Sequence, residues 1–357
     1  MIQNYLVMSI HPLYHRVLRC MAVLLMLCLG SCSLIKDDLH CPSGVWLKLE
    51  VTMDVEYGGK YSPQSFADDM GRVSVWVFDQ NGLYLDKYSD AGENLKNNNN
   101  TMNLPIEPGK YKMVVWTGMQ DPNYQVLEMT PGVSTMDDLD IKLVRDENNC
   151  QSHKLSSLWH GYVADAEVKP SEYTRLSVKL TKNTNTVIAV LQDYSGGTDF
   201  DSNDYTFEIV AENGYMDYTN KLLPDADVRY NAYFAETAQV SAGNDDAAKL
   251  SVARAEMNTL RFMANRPSRF VVTEKNTGAK ILNINLTEYL LLTRELYNGS
   301  NGAKMSEQAY LDYEDMYRIV FFLAPSGGGS GGGGGSYFCV MLSINGWIVR
   351  LNDISDF

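Results

Sequence analysis

Residues 45–57 read VWLKLEVTMDVEY. Val45, Leu47, Leu49, Val51, Met53, Val55 and Tyr57 fall on one side, with Trp46, Lys48, Glu50, Thr52, Asp54 and Glu56 between them. Successive side chains of a strand point to opposite faces. This unbroken alternation therefore predicts one long strand with a single buried face. Gly58 and Gly59 end it.

The same signature recurs down the chain. Residues 72–88, RVSVWVFDQNGLYLDKY, read as strand, Asn81-Gly82 turn and strand, a strong hairpin signal. Pro108-Gly109 precedes a strand in 104–118, and 135–144, 162–168 and 174–181 supply further short strands. After Lys182 a second set begins with 185–191. A hairpin is expected around Asn213-Gly214, followed by strands in 259–264, 269–286 and 316–323. The one helix expected is Thr287 to Leu296. Residues 94–103, NLKNNNNTMN, read as a polar loop. A chain of 357 residues suits two domains. Strands at this spacing with turn residues between them predict an all-β protein of two tandem β-sandwiches, with one short helix in the second. The expected division is 44–182 and 183–357.

The chain ends in an apolar hairpin. Residues 326–336, SGGGSGGGGGS, have the composition of a flexible coil. The sequence YFCVMLSINGWIVRLNDI (337–354) then carries Asn345-Gly346 between two apolar runs. Val340, Leu342 and Ile344 before the turn, and Trp347, Val349 and Leu351 after it, line up on alternate positions. Two readings stand: a central hairpin of its own sandwich, or a strand offered to another subunit.

The first residues address the chain. Arg16 and Arg19 precede an apolar run, Cys20–Leu29, in a segment without acids. As a helix this run would rise only about 15 Å, half the roughly 30 Å hydrocarbon core. Residues 1–31 therefore read as a secretory signal. Leu29-Gly30-Ser31-Cys32 resembles the bacterial lipobox, which predicts lipidation at Cys32, a tether over 32–43 and attachment to the outer membrane by the N-terminal lipid. Lys36-Asp37-Asp38 is similar to the acidic tag of surface-exposed lipoproteins. Beyond the signal the cysteines are Cys32, Cys41, Cys150 and Cys339. Their spacing has no CxxC pattern, which argues against zinc.

Formal net charge is −14. Such a surface repels phosphate backbones, so nucleic acid is not an expected partner. No HExxH, GxSxG, GxGxxG or phosphate-binding loop is present. No catalytic residue, metal or cofactor is therefore expected. His160 in SLWHGY is expected as a hydrogen-bonded structural histidine. Asp199 to Asp204, DFDSND, lacks the glycine and late glutamate of a calcium loop and is expected as a solvated loop. Asp137, Asp138 and Asp140 are expected as an exposed strand edge.

Several stretches stand out together: CSLIKDDLHCPSGVWLKLEV from Cys32, EPGKYKMVVW from Glu107, LWHG from Leu158, LTKNTNTVIAVL from Leu180, YTFEIVAENGYMDYTN from Tyr205, QAYLDYEDMYRIVFFL from Gln308 and INGWIVRLND from Ile344. In these stretches the chain resembles the FimB-type fimbrial subunit (anchor) lipoproteins of Bacteroidales type V fimbriae. The order of these stretches covers essentially the whole mature chain. The resemblance implies transthyretin-like sandwiches, fimbrial stalk subunits as partners and assembly by strand exchange. In that scheme stalk and tip subunits lose a first strand to an arginine-specific protease and accept a neighbour's C-terminal strand. The removable strand here would be Val45–Tyr57. No arginine lies between Cys32 and Gly71, and Arg72 opens the next hairpin. This favours an anchor that keeps its first strand (Val45, Leu47, Leu49, Val51, Met53 and Val55) and donates the C-terminal hairpin. The alternatives are a tip subunit or a surface adhesin for glycans or host protein, with Tyr57, Tyr61 and Trp116 as stacking candidates. Trp116 fits a core position better.

Overall fold

The structure, a computed structural model, describes residues 43–51, 68–170, 172–242, 245–297, 304–325 and 337–350. The first half contributes β1 (Gly44–Val51), β2 (Arg72–Asp79), β3 (Tyr84–Ala91), α1 (Gly92–Asn97), β4 (Thr101–Leu104), β5 (Gly109–Thr117), β6 (Tyr124–Val126), β7 (Ile141–Leu143), β8 (Cys150–Gln151), β9 (Trp159–Val168) and β10 (Tyr173–Lys182). The second contributes β11 (Thr184–Asp193), β12 (Tyr205–Ala211), β13 (Tyr215–Met216), β14 (Val228–Asn231), β15 (Phe234–Ala242), β16 (Asp245–Leu260), β17 (Arg269–Glu274), β18 (Lys280–Asn285), α2 (Leu286–Leu291), α3 (Glu307–Tyr313), β19 (Met316–Pro325), β20 (Tyr337–Ile344) and β21 (Trp347–Arg350).

The protein is all-β. A seven-stranded sheet, β3-β2-β5-β9-β10-β1-β4, uses only strands up to Lys182, and a six-stranded sheet, β15-β16-β11-β19-β20-β21, only strands from Thr184 onward. Two smaller sheets mix the halves: β8 joins β18-β17-β12-β14, and β6 and β7 join β13. The segment between β5 and β9 thus reaches across the expected division. The core follows it. Val73, Val75 and Val77 of β2 pack with β1 under one face of the seven-stranded sheet. Trp76 and Phe78, on the opposite face, belong to a cluster that continues into β11, β12 and β19. A strand buried on both faces loses its apolar-polar alternation, as RVSVWVF does.

Several local expectations need correction. Asn213-Gly214 does not turn a hairpin: β12 pairs with β14 and β17, and β13 pairs with β7. Neither residue has the positive φ that a tight hairpin turn demands. Asn213 instead buries its amide, donating to the carbonyls of Leu260 and Arg261 and accepting from the Tyr230 hydroxyl. Gly214 is needed because a Cβ there would lie 2.6 Å from Val228 Cγ2. Residues 94–103, expected as a loop throughout, form the end of α1, a turn at 98–100 and the start of β4. The expected helix from Thr287 to Leu296 is shorter: α2 ends at Leu291 and a 3-10 turn follows at Arg294–Leu296. It is also not the only helix, since α1 and α3 precede and follow it; Ser306 caps α3 by accepting from Ala309 N–H. The Arg261–Ala264 stretch lies beyond the end of β16.

One half-buried charge cluster joins the halves. Lys182, the last residue of β10, places Nζ 2.8 Å from Asp69 Oδ2 and 2.8 Å from Asp315 Oδ2. Asp69 also accepts from Trp159 Nε1 at 3.1 Å and Ser157 Oγ at 2.7 Å. Burial pulls the Lys182 pKa down, but the two carboxylates outweigh it and hold the ammonium above its ordinary value.

Candidate functional site: the first strand and the C-terminal hairpin

Alternation in sequence becomes alternation in space along β1. Val45 and Leu47 are completely buried and Leu49 nearly so. Trp46 faces solvent, beside the Tyr173 ring at 5.6 Å and the Arg175 guanidinium at 5.2 Å. The strand is interior to its sheet. It runs parallel to β10, from Gly44 opposite Tyr173 to Val51 opposite Leu180, and antiparallel to β4, with Leu47 opposite Met102. Met53 and Val55, expected in the same strand, lie outside the described residues, as does Cys32.

Arg72 starts β2 within a closed ladder. Its N–H donates to Gln120 Oε1 at 2.9 Å, its carbonyl accepts from Gly118 N–H at 3.0 Å, and it stands opposite Ala91 of β3. A protease needs an extended, unpaired chain, so this peptide bond is guarded.

The C-terminal hairpin forms as the Asn345-Gly346 signal predicts. Both turn residues have positive φ, +50° and +86°, the conformation of a type I′ turn. β20 pairs with β19 and β21 with β20. Leu342 and Ile344 are buried in the chain's own core, and Val340 is half-buried. Past the turn the strand opens to solvent: Trp347 is 54% exposed and Ile348 65%. Among the described strands β21 is the edge of its sheet. The backbone at Val349 pairs with Leu342, and Leu351 lies outside the described residues. Cys339 and Cys150 are free thiols, and burial pushes the Cys339 thiol up to about 12.

The residues weighed for chemistry are occupied structurally. His160 is buried, its Nε2 is 2.8 Å from the Tyr218 carbonyl, and its ring packs at a tilt of 58° against Trp116 with centroids 4.5 Å apart. Burial, opposed by the Tyr218 carbonyl, takes its pKa down to about 4. The folded protein thus keeps it neutral while the unfolded chain charges it near 6.5. As pH falls from about 6.5 to 4, this group alone will remove about 3 kcal/mol of stability. Urea unfolding of wild type and His160→Gln at pH 7 and pH 4 checks this. A difference between the two proteins that does not change with pH contradicts it.

Asp199 accepts from Ser251 N–H, and Asp201 from Asn203 N–H and Thr237 Oγ1, so their carboxylates organise a loop. Asp138 caps a short 3-10 turn through Thr135, and Asp140 accepts from the Tyr215 hydroxyl at 2.6 Å. Asp137 and Asp138 are exposed as expected, but they sit in a 3-10 turn rather than at a strand edge, and Asp140 is half-buried. Trp116 is a core residue.

The family described as fimbrillin-A associated anchor proteins Mfa1 and Mfa2 matches residues 37–353. The chain belongs to this fimbrial anchor family. The crystal structure of a Bacteroides thetaiotaomicron protein, described there as a candidate polysaccharide-binding protein, is similar at 29% identity with a TM-score of 0.72, covering 88% of this chain and 99% of that one. The fimbrial anchor protein Mfa2 of Porphyromonas gingivalis shares the fold at 19% identity with a TM-score of 0.64, covering 87% of this chain and 99% of that one. No protein of curated function matches. Membership associates the anchor-family chain with fimbriae at the cell surface.

Proposed function

We propose that this protein is a non-enzymatic fimbrial anchor, tethered to the outer membrane by lipid on Cys32 and joined to a stalk subunit at the fimbrial base. The observation that carries this reading is a polarity within the chain. The place of the first strand is filled by β1, hydrogen-bonded on both sides, while β21 offers an open edge with Trp347 exposed. A subunit so arranged cannot take a strand in the β1 groove but can offer one. Unpaired strand edges are the usual template for such addition. Because Leu342 and Ile344 are seated in the chain's own core, β20 stays in place. The donated surface is β21 and the residues after it, with Trp347, Val349 and Leu351 at its centre.

The experiment is deletion of residues 347–357 in a fimbriated strain. Fimbriae should be shed into the medium while the truncated protein stays in the membrane fraction. Undiminished retention of fimbriae on cells rules out this surface as the junction.

A second reading, a surface adhesin, is supported by a cleft on the outer face of the sheet that contains β12, β14 and β17.

A further inference from the structure

The outer face of β17-β12-β14 is not flat. A cleft of about 490 Å³ opens over it, within the ~300–1,000 Å³ typical of small-ligand sites. Strand register fixes its floor. Arg269 of β17, Val210 of β12 and Arg229 of β14 form one cross-strand row, which sets the two guanidinium-bearing strands about 10 Å apart. Val271 and Glu208 lie in the next row, and Thr273, opposite Lys280 of β18, closes the far end. Two loops wall it in. Asn148 and Asn149 stand on a turn held by Asp146, whose carboxylate accepts from the N–H groups of Asn148 and Cys150. Ala226 and Asp227 follow Asp225, which is paired with Arg145. Floor and walls are thus preorganised.

The charges are not balanced. Arg229 is held by Glu208 through bonds of 3.0 and 2.6 Å. Arg269 and Lys280 have no ionic partner among the described residues, against one free carboxylate, Asp227. This is a local positive excess in a chain of net charge −14, and it selects for an anion. A bare phosphate or sulfate would leave Asp227 and the asparagine amides unused, or repelled. A ligand carrying both a negative charge and many hydroxyls uses all of them: carboxylates accept from hydroxyls, while amides and guanidiniums donate to ring and hydroxyl oxygens. An extended acidic peptide is disfavoured, because the floor is a sheet face and offers no free backbone edge.

We propose that this cleft binds an acidic oligosaccharide of the uronic acid class, with Arg269 and Lys280 taking its carboxylate and Asp227, Asn148 and Asn149 its hydroxyls. The proposal rests on the adhesin reading and leaves the anchor reading untouched.

The test is calorimetric titration of the full-length protein in detergent with a galacturonate oligosaccharide, the matching neutral galactose oligosaccharide, and inorganic sulfate. The galacturonate should bind, with at least tenfold loss of affinity in Arg269→Ala and in Lys280→Ala and none in Lys112→Ala on the other sheet. Unchanged thermal melting of the variants excludes a folding defect. Equal binding of the neutral sugar, binding of sulfate as tight as that of the sugar, insensitivity to both variants, or no binding at all overturns the proposal. Fimbrial retention in a strain carrying Arg269→Ala with Lys280→Ala should match wild type. Retention therefore reports on the anchor reading alone, whichever way the titration falls.

Discussion

Lys182→Met will destabilise the protein by roughly 1–3 kcal/mol, less than removing one partner from a fully buried ion pair because Asp69 keeps 27% of its side chain in water. The methionine restores the volume of the lysine stem but leaves Asp69 and Asp315 facing each other with no cation between them. Asp315 is nearly buried, and Asp69, though partly in water, is already committed to Trp159 and Ser157, so neither is fully free to reorient. Lys182→Met combined with Asp69→Asn and Asp315→Asn should recover most of the loss, because no charge then remains to be desolvated. Urea unfolding of the single and triple variants at pH 7 measures both quantities. A single-variant loss under about 1 kcal/mol would mean the cluster behaves as an exposed surface pair. The pH dependence has a definite sign. The Lys182 pKa is higher folded than unfolded. Its contribution is therefore complete at neutral pH and below, and fades only as pH rises past the ordinary lysine value toward the folded one.

Leu47→Ala is the second large effect, a loss of about 2–5 kcal/mol. Leu47 is completely buried, flanked by Leu176 of β10 and Met102 of β4, and packs with Val75, Met113 and Leu180. Strands on both sides prevent the site from collapsing onto the vacancy, which places the cost toward the upper part of the range. Trp46→Ala, one residue away, removes a larger side chain from the solvent face and should cost far less. Equilibrium unfolding of the pair tests whether β1 is an integral strand. If both cost the same small amount, β1 contributes little to the core and an anchor would not need to retain it.

Legibility in the sequence tracked the range of the interactions involved. β1, the Asn81-Gly82 hairpin and the Asn345-Gly346 hairpin were readable because alternation and turn chemistry are local. Arg72 as a guarded site could be anticipated from its place at the start of a hairpin. β15 and β16 were missed. Their alternation is carried by Ala, Ser, Thr and Gln as much as by large apolar residues, and the β16 face that enters the main core does so through Ala253, Ala255 and Met257, two of them only alanines. Asn213-Gly214 misled for the opposite reason: a strong local turn signal was overridden by the carbonyls of Leu260 and Arg261, nearly fifty residues on. The Lys182 cluster draws on residues 69, 182 and 315, and no window of sequence contains all three. The cleft on β12, β14 and β17 is equally non-local, since its row of Arg269, Val210 and Arg229 exists only through register.

The parallel pairing of β1 with β10 has a mechanical consequence. Their N-terminal ends lie together, Gly44 beside Tyr173, and β10 leads directly into β11 at its other end. A pull toward the N-terminus at Gly44 and a pull toward the C-terminus at Lys182 therefore drag the two strands in opposite directions along their own length. The ladder is strained in shear, and its bonds must give way together. A pull across the strands would instead peel them one at a time. The direction in which this strand runs makes the seam between β1 and β10 resist sliding as a single unit.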